Sequence, residues 1–445
     1  GQRGDHRAAV ETLKGAPDAV QGEPRLRRQL AWELYRTGDL DGALATAEPL
    51  LAAQGESGPD RPFLSLVKGL ALAAQGRNPE AAGILGPLQA AQPDNIPLSL
   101  TMARVLQRDG RRAEATRLLS DLADRLAKEG KADDERDVRL ELAQAWIEAK
   151  DWTQAAGVIA PLLDSKEPAV RTQAVLLQAE TLVGQDRQAD ALALLDREGS
   201  SPVSPASPAS PVLQGRRAEV LFKGGDEREA RRILAGLADS GDAPSMLAAA
   251  QSWQRLDHYP ESIPVLERLA AKQKDSVAAG FLLGSAYERT GQRPRAVAEF
   301  RRVLEIDPDF HAALNYLGYT YAESGENLEE ALSLVGRAVA LEPDNGAYVD
   351  SLGWTYYQLG RHEQALGYLE RAVRLEPADA TLQEHLGDVY VALGQKERAR
   401  EAYRRALELG DGQAGGAGTT DHNEKVRRKL ADLGQGAPGG TRPQR

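Results

Sequence analysis

Between Val277 and about Gly410, apolar and small residues recur at helical spacing, and polar turn residues interrupt them at regular intervals. The interruptions divide the stretch into pairs of helical runs, and the pairs repeat. Gly346 to Asp379 reads GAYVDSLGWTYYQLGRHEQALGYLERAVRLEPAD, with Leu352-Gly353, Tyr356, Gly360, Ala365, Leu369, Ala372 and Pro377. The segment before it has Leu317-Gly318, Tyr321, Gly325, Ala331, Val335, Ala338 and Pro343 in the same order. Earlier still come Leu283-Gly284, Tyr287, Gly291, Ala296, Phe300 and Pro308; the last copy has Leu386-Gly387, Tyr390, Gly394, Ala399, Tyr403 and Ala406. Tyr287, Tyr321, Tyr356 and Tyr390 follow one another at intervals of 34, 35 and 34 residues.

The repeated residues have physical jobs. Gly353 and Ala365 are small where two helices cross closely, and Leu352, Tyr356 and Leu369 fill the surrounding space. Gly360 lies between two helical runs, where a left-handed cap is wanted. Pro377 ends the second helix, and Asp379, like Asp344 and Asn345 one repeat earlier, can cap the next. Each helical pair leaves an apolar side that its neighbour must cover.

This period and spacing resemble the tetratricopeptide repeat, a helix–turn–helix unit. The resemblance implies an all-α fold, a right-handed superhelical α-solenoid of about eleven repeats ending in a capping helix. It covers the N-terminal half with weaker signatures. Pro62 to Asn95 keeps Gly69, Leu72, Gly76, Ala81, Leu85 and Pro93, and Trp253 stands 34 residues before Tyr287. Residues 1–199 therefore read as a degenerate N-terminal array and 212–413 as a C-terminal array, strongest over 277–413. Gly4 to Leu13 looks like the second helix of an incomplete first repeat, which leads us to expect a segment upstream that could include an export signal. Residues 414–434 read as a connector and a capping helix from about Asn423 to Leu433, and 435–445 as a disordered tail. The break at 200–211, SSPVSPASPASP, reads as an extended loop, either a passive insertion or a hinge.

Composition narrows the function. A net charge of -11 argues against a general nucleic-acid binder, and no apolar run approaches membrane-spanning length. The chain has no cysteine, which excludes disulfides and thiolate metal sites and is compatible with an oxidising compartment, a thermophile or chance. The six histidines are scattered. Gly410 to Gly415 matches a dinucleotide fingerprint by letter but follows a helix rather than a strand, so it reads as a connector. No acid, base and nucleophile combine into a catalytic site, and neither a metal nor a cofactor is expected.

In tetratricopeptide proteins one stripe of each first helix lines a concave groove. The resemblance places Phe281, Asn315, Tyr316, Tyr319, Asp350, Trp354, Tyr357, Glu384, His385 and Asp388 on that stripe, where aromatic anchors with polar neighbours suit a peptide or protein segment. The carboxylate-clamp pattern of chaperone-binding relatives needs Lys and Asn at slots that hold Asp350, Trp354 and Glu384 here, so capture of a C-terminal carboxylate is not expected. The runs LNYLGYTYAESGENLEEAL, NGAYVDSLGWTYYQLGRHEQAL and EHLGDVYVALGQ also resemble a bacterial subfamily that includes exported lipoproteins. One member type sits at the outer membrane and brings substrates to a carboxyl-terminal processing protease in the periplasm. That resemblance implies a non-enzymatic adaptor with a periplasmic protease as a partner, tied to the membrane by an upstream lipid anchor. The alternatives are a cytoplasmic assembly scaffold and a regulatory array belonging to an enzyme.

Overall fold

The computed structural model describes residues 6–15, 23–54, 58–199, 210–412 and 417–434. The start of the incomplete first repeat at Gly4, most of the Ser/Pro-rich break, residues 413–416 of the connector and the tail from 435 lie outside the described residues. Among those described there are 24 α-helices, one short 3-10 stretch and no strand.

The chain divides into two compact units. Unit 1 comprises residues 1–88 and 309–445, and unit 2 comprises 89–308. Unit 1 begins with α1 (His6–Lys14), α2 (Pro24–Arg36), α3 (Leu40–Gln54), α4 (Arg61–Ala74) and most of α5 (Asn78–Ala91). In unit 2 follow α6 (Ile96–Arg108), α7 (Arg112–Glu129), α8 (Ala132–Glu148), α9 (Trp152–Ile159), α10 (Pro168–Gly184) and α11 (Gln188–Gly199). It continues with α12 (Pro211–Lys223), α13 (Glu227–Asp239), α14 (Ala243–Arg255), α15 (Tyr259–Lys272), α16 (Val277–Arg289) and α17 (Arg293–Ile306). Unit 1 resumes with α18 (His311–Ser324), α19 (Leu328–Leu341), α20 (Gly346–Gln358), α21 (His362–Leu375), α22 (Ala380–Ala392), α23 (Lys396–Gly412) and α24 (Ala417–Gly434).

Local chemistry sets these boundaries. The Asn345 side chain accepts from the Tyr348 N–H at the start of α20, and Asp379 accepts from Thr381 and Leu382 at the start of α22. Gly360 takes the left-handed conformation between α20 and α21, with φ of 73°. Helix α21 ends two residues before Pro377 and α19 two residues before Pro343.

Each hairpin closes on a small-against-large pair. A Cβ added at Gly353 would stand 2.7 Å from Leu369 Cγ, which is why the sequence keeps glycine at that crossing. Tyr287, Tyr321 and Tyr390 are buried, whereas Tyr356 is half-buried and stacks on Tyr368 at 5.3 Å. The end of unit 1 is sealed by α24. Its Val426 is fully buried, and Leu430 and Leu433 pack with it against a cluster containing Tyr390, Ala402, Tyr403 and Ala406.

Candidate functional site

In unit 1 the stripe expected to meet a partner lies on the first helices of three successive hairpins, α18, α20 and α22. Helical spacing puts Asp350, Trp354 and Tyr357 on one side of α20 and Glu384, His385 and Asp388 on one side of α22. The two helices meet through these side chains. Trp354 is stacked between Tyr357, at 4.8 Å between ring centroids, and His385, at 4.3 Å. His385 Nδ1 lies 2.9 Å from both carboxylate oxygens of Asp350. These two residues are 6% and 5% exposed, so the pair is inside the protein. Burial pulls the His385 pKa down, but the charge and hydrogen bond of Asp350 outweigh it and hold it above the ordinary imidazole value.

The stripe of α22 is covered by α24. Lys429 Nζ donates to Glu384 Oε1 at 2.6 Å and to Asp388 Oδ1 at 2.7 Å. Lys425 Nζ lies 3.0 Å from Glu384 Oε1, and His422 Nδ1 3.2 Å from Glu384 Oε2. Tyr403 on α23 donates to Asp388 Oδ1 at 2.6 Å. Glu384 is only 1% exposed; burial pushes its carboxyl up, and the Lys429 and Lys425 ammonium groups more than reverse this.

These facts correct part of the sequence reading. All ten residues are expected on a stripe that lines a groove, but Asp350, Glu384 and His385 are buried. The physical reason is charge pairing across elements: Asp350 and His385, 35 residues apart, face each other, and the cations of α24 neutralise Glu384 and Asp388. The sequence reading identified the capping segment by its apolar side and missed Lys425, Lys429 and His422. The available signal was a run of cations on the cap beside acids on the last first-helix stripe.

The remaining stripe residues keep partial exposure. Asn315, Tyr316 and Tyr319 on α18 and Trp354 and Tyr357 on α20 are half-buried. The indole Nε1 of Trp354 and the side-chain oxygen of Asn315 are inside without a hydrogen-bond partner. Burial, and then the charge of Asp388, push the Tyr357 hydroxyl pKa up. Phe281 belongs to unit 2, where its half-buried ring packs 6.0 Å from Phe300. Among the described residues no group of His, Cys, Asp or Glu is placed to hold a metal ion, and no helix is long and apolar enough to cross a membrane. The arrangement offers flat rings and amide groups for contact with another chain.

No curated protein matches this chain. Solved structures similar to it include the Cut9–Hcn1 heterotetramer of the APC/C, at 14% identity over 97% of this chain and 94% of that one, with a TM-score of 0.41. A tetratricopeptide repeat protein from Parabacteroides merdae is 16% identical over 59% of this chain and 98% of its own, with a TM-score of 0.43. MamA from Desulfovibrio magneticus RS-1 is 24% identical over 39% and 97%, with a TM-score of 0.35. The sequence profile of the tetratricopeptide repeat matches residues 28–95, 247–309, 281–348 and 351–414, more than half of the chain. With paired helices, glycine turns and small-against-large crossings at this period, the chain belongs to the tetratricopeptide repeat family, whose members are protein-interaction scaffolds.

Proposed function

We propose that this protein holds a segment of another polypeptide along α18 and α20, at Asn315, Tyr316, Tyr319, Trp354 and Tyr357. The observation that carries the reading is the Tyr357–Trp354 stack, two aromatic rings that stay half-buried on the stripe. Such rings supply rigid contact area for a bound segment. The test is Trp354→Ala with Tyr357→Ala in the full chain, purified from its native host beside the wild type. Proteins that co-purify with the wild type should drop at least tenfold by mass spectrometry while the helical circular dichroism is unchanged. Equal recovery sinks the reading.

The finer form of the proposal is an adaptor outside the cytoplasm whose partner is a carboxyl-terminal processing protease. Its support is the resemblance of the C-terminal runs to exported bacterial relatives. Fractionation of cells expressing the complete gene decides it. Recovery with the periplasm or outer membrane is expected, whereas recovery in the cytosol favours an assembly scaffold there. A catalytic domain in the same reading frame would favour a regulatory array.

A further inference from the structure

Many of the hairpin turns use one device, a glycine at positive φ, and two of these stand apart. At Gly130, Gly225, Gly291, Gly325, Gly360 and Gly394 an added Cβ would meet nothing within 4 Å. At Gly38, between α2 and α3, it would lie 3.3 Å from Ala340 Cα on α19. At Gly76, between α4 and α5, it would lie 2.8 Å from Arg374 Cβ and 3.1 Å from the backbone of α21. These turns belong to the same unit as α19 and α21, although residues 89–308 intervene in sequence.

Two arginines complete the contact. Arg371 Nε donates to the Ala74 carbonyl at 2.9 Å, and Arg374 Nε to the Gln75 carbonyl at 3.2 Å. Those carbonyls close α4, where a helix lacks its own donors and carries the negative end of its dipole. Arg371 is 7% exposed and also donates to the Pro343 carbonyl, so one guanidinium joins α4 to the α19–α20 connection. Burial pushes its pKa down to about 10. Beside the contact is a cleft of about 660 Å³, lined among others by Asp39, Asp41, Gln75, Glu363 and Tyr368.

We infer that the turns α2–α3 and α4–α5 latch onto α19 and α21, so that the second helices of the C-terminal hairpins form an interaction surface whose partner is this chain's own N-terminal hairpins. Repeats of this kind ordinarily share free energy only with their sequence neighbours. Here hairpins about three hundred residues apart share it. The contact is two turns and two guanidinium groups beside an open cleft, few enough groups to separate without unfolding the hairpins that they join. It leaves the proposed partner stripe alone, because that stripe is on the first helices.

The chain has no cysteine, so Gly38→Cys with Ala340→Cys introduces the only two thiols. The Cβ positions are 3.8 Å apart, within the range of about 3.5–4.5 Å that a disulfide spans. Oxidised glutathione, which takes up the two electrons and two protons, should convert the dilute full chain into a monomer two hydrogens lighter, with one internal bridge. Adding Arg374→Ala should slow bridging at least fivefold with unchanged circular dichroism. Covalent dimers as the main product, or a rate indifferent to Arg374, would overturn the latch. Hydrogen exchange on the unaltered chain decides if the cysteine variant fails to fold. Amides at 75–77 should exchange at least tenfold more slowly than those at 359–361, and Arg371→Ala with Arg374→Ala should remove the difference. Equal exchange in the native chain also overturns it.

Discussion

The hairpins over residues 309–412 and those over 89–276 reach one geometry with different residues. In the first group Gly318, Gly353 and Gly387 sit at the helix crossings, where a Cβ would stand 2.6, 2.7 and 2.4 Å from Val335, Leu369 and Tyr403. In the second, alanines hold the corresponding slots, and Ala143, Ala218 and Ala250 are fully buried. The turns differ in part. Gly325, Gly360 and Gly394 take positive φ in the first group, with Asn327 following Gly325; in the second, Lys150, Asp186 and Asp257 take it at 57°, 59° and 60° beside the glycines Gly110, Gly130, Gly225 and Gly241. A left-handed lysine costs about 1–2 kcal/mol that a glycine does not. The hairpin therefore survives substitution because no single residue defines it. The pairing of small with large side chains and the handedness of the turn persist while the letters change.

The comparison can be broken most sharply at the end of the first group, which has a charge cover with no counterpart in the sequence signature. Lys429→Ala leaves Glu384 and Asp388 facing each other with a cation removed, and should cost about 3 kcal/mol. Urea unfolding with hydrogen exchange localised to α22–α24 checks it. A loss below about 1 kcal/mol would mean that the packing of Val426, Leu430 and Leu433 holds α24 in place.

Gly353→Leu should overpack against Leu369 and cost about 1–3 kcal/mol, felt mainly by the adjoining hairpins. Ala143→Leu should cost less, because that slot already accommodates a Cβ. Equal melting losses would show that the two groups are packed alike at the crossing.

The His385–Asp350 pair gives the first group a pH dependence. His385 is held above its ordinary value, so the pair contributes fully below the unfolded value of about 6.5 and fades as pH rises through the folded value. The groups facing it are Asp350, Glu384, Asp388 and the ring of Trp354. The urea midpoint should fall from pH 6 upward more steeply in the wild type than in His385→Gln. Parallel profiles would remove the imidazole from the account. The smallest effect is expected in the second group, where Lys150→Gly should relieve the turn by about 0.5 kcal/mol after the added chain entropy is counted. A destabilised variant would mean that the lysine side chain is worth more than the strain.

Much of the fold was legible because its causes are local. Asn345 and Asp379 cap the helices that follow them, Gly360 turns the chain, and Gly353 meets Leu369, all within one repeat length. The stripe was legible in part. Trp354 and Tyr357 share one side of α20, as their spacing requires, and remain half-buried. The burial of Asp350, Glu384 and His385 was not legible, because each depends on a residue one repeat away or on α24. A carboxylate on a helix stripe reads the same whether water or an ammonium group stands opposite.

The amino-acid order alone determined that the chain forms paired helices at a regular period, because caps, turns and small-against-large crossings act over a few ångströms along neighbouring residues. Only the tertiary structure decided which side chains meet between hairpins. Each of these contacts joins residues of different hairpins, so no local rule reveals that Lys429 reaches Glu384 or that Arg371 reaches the end of α4.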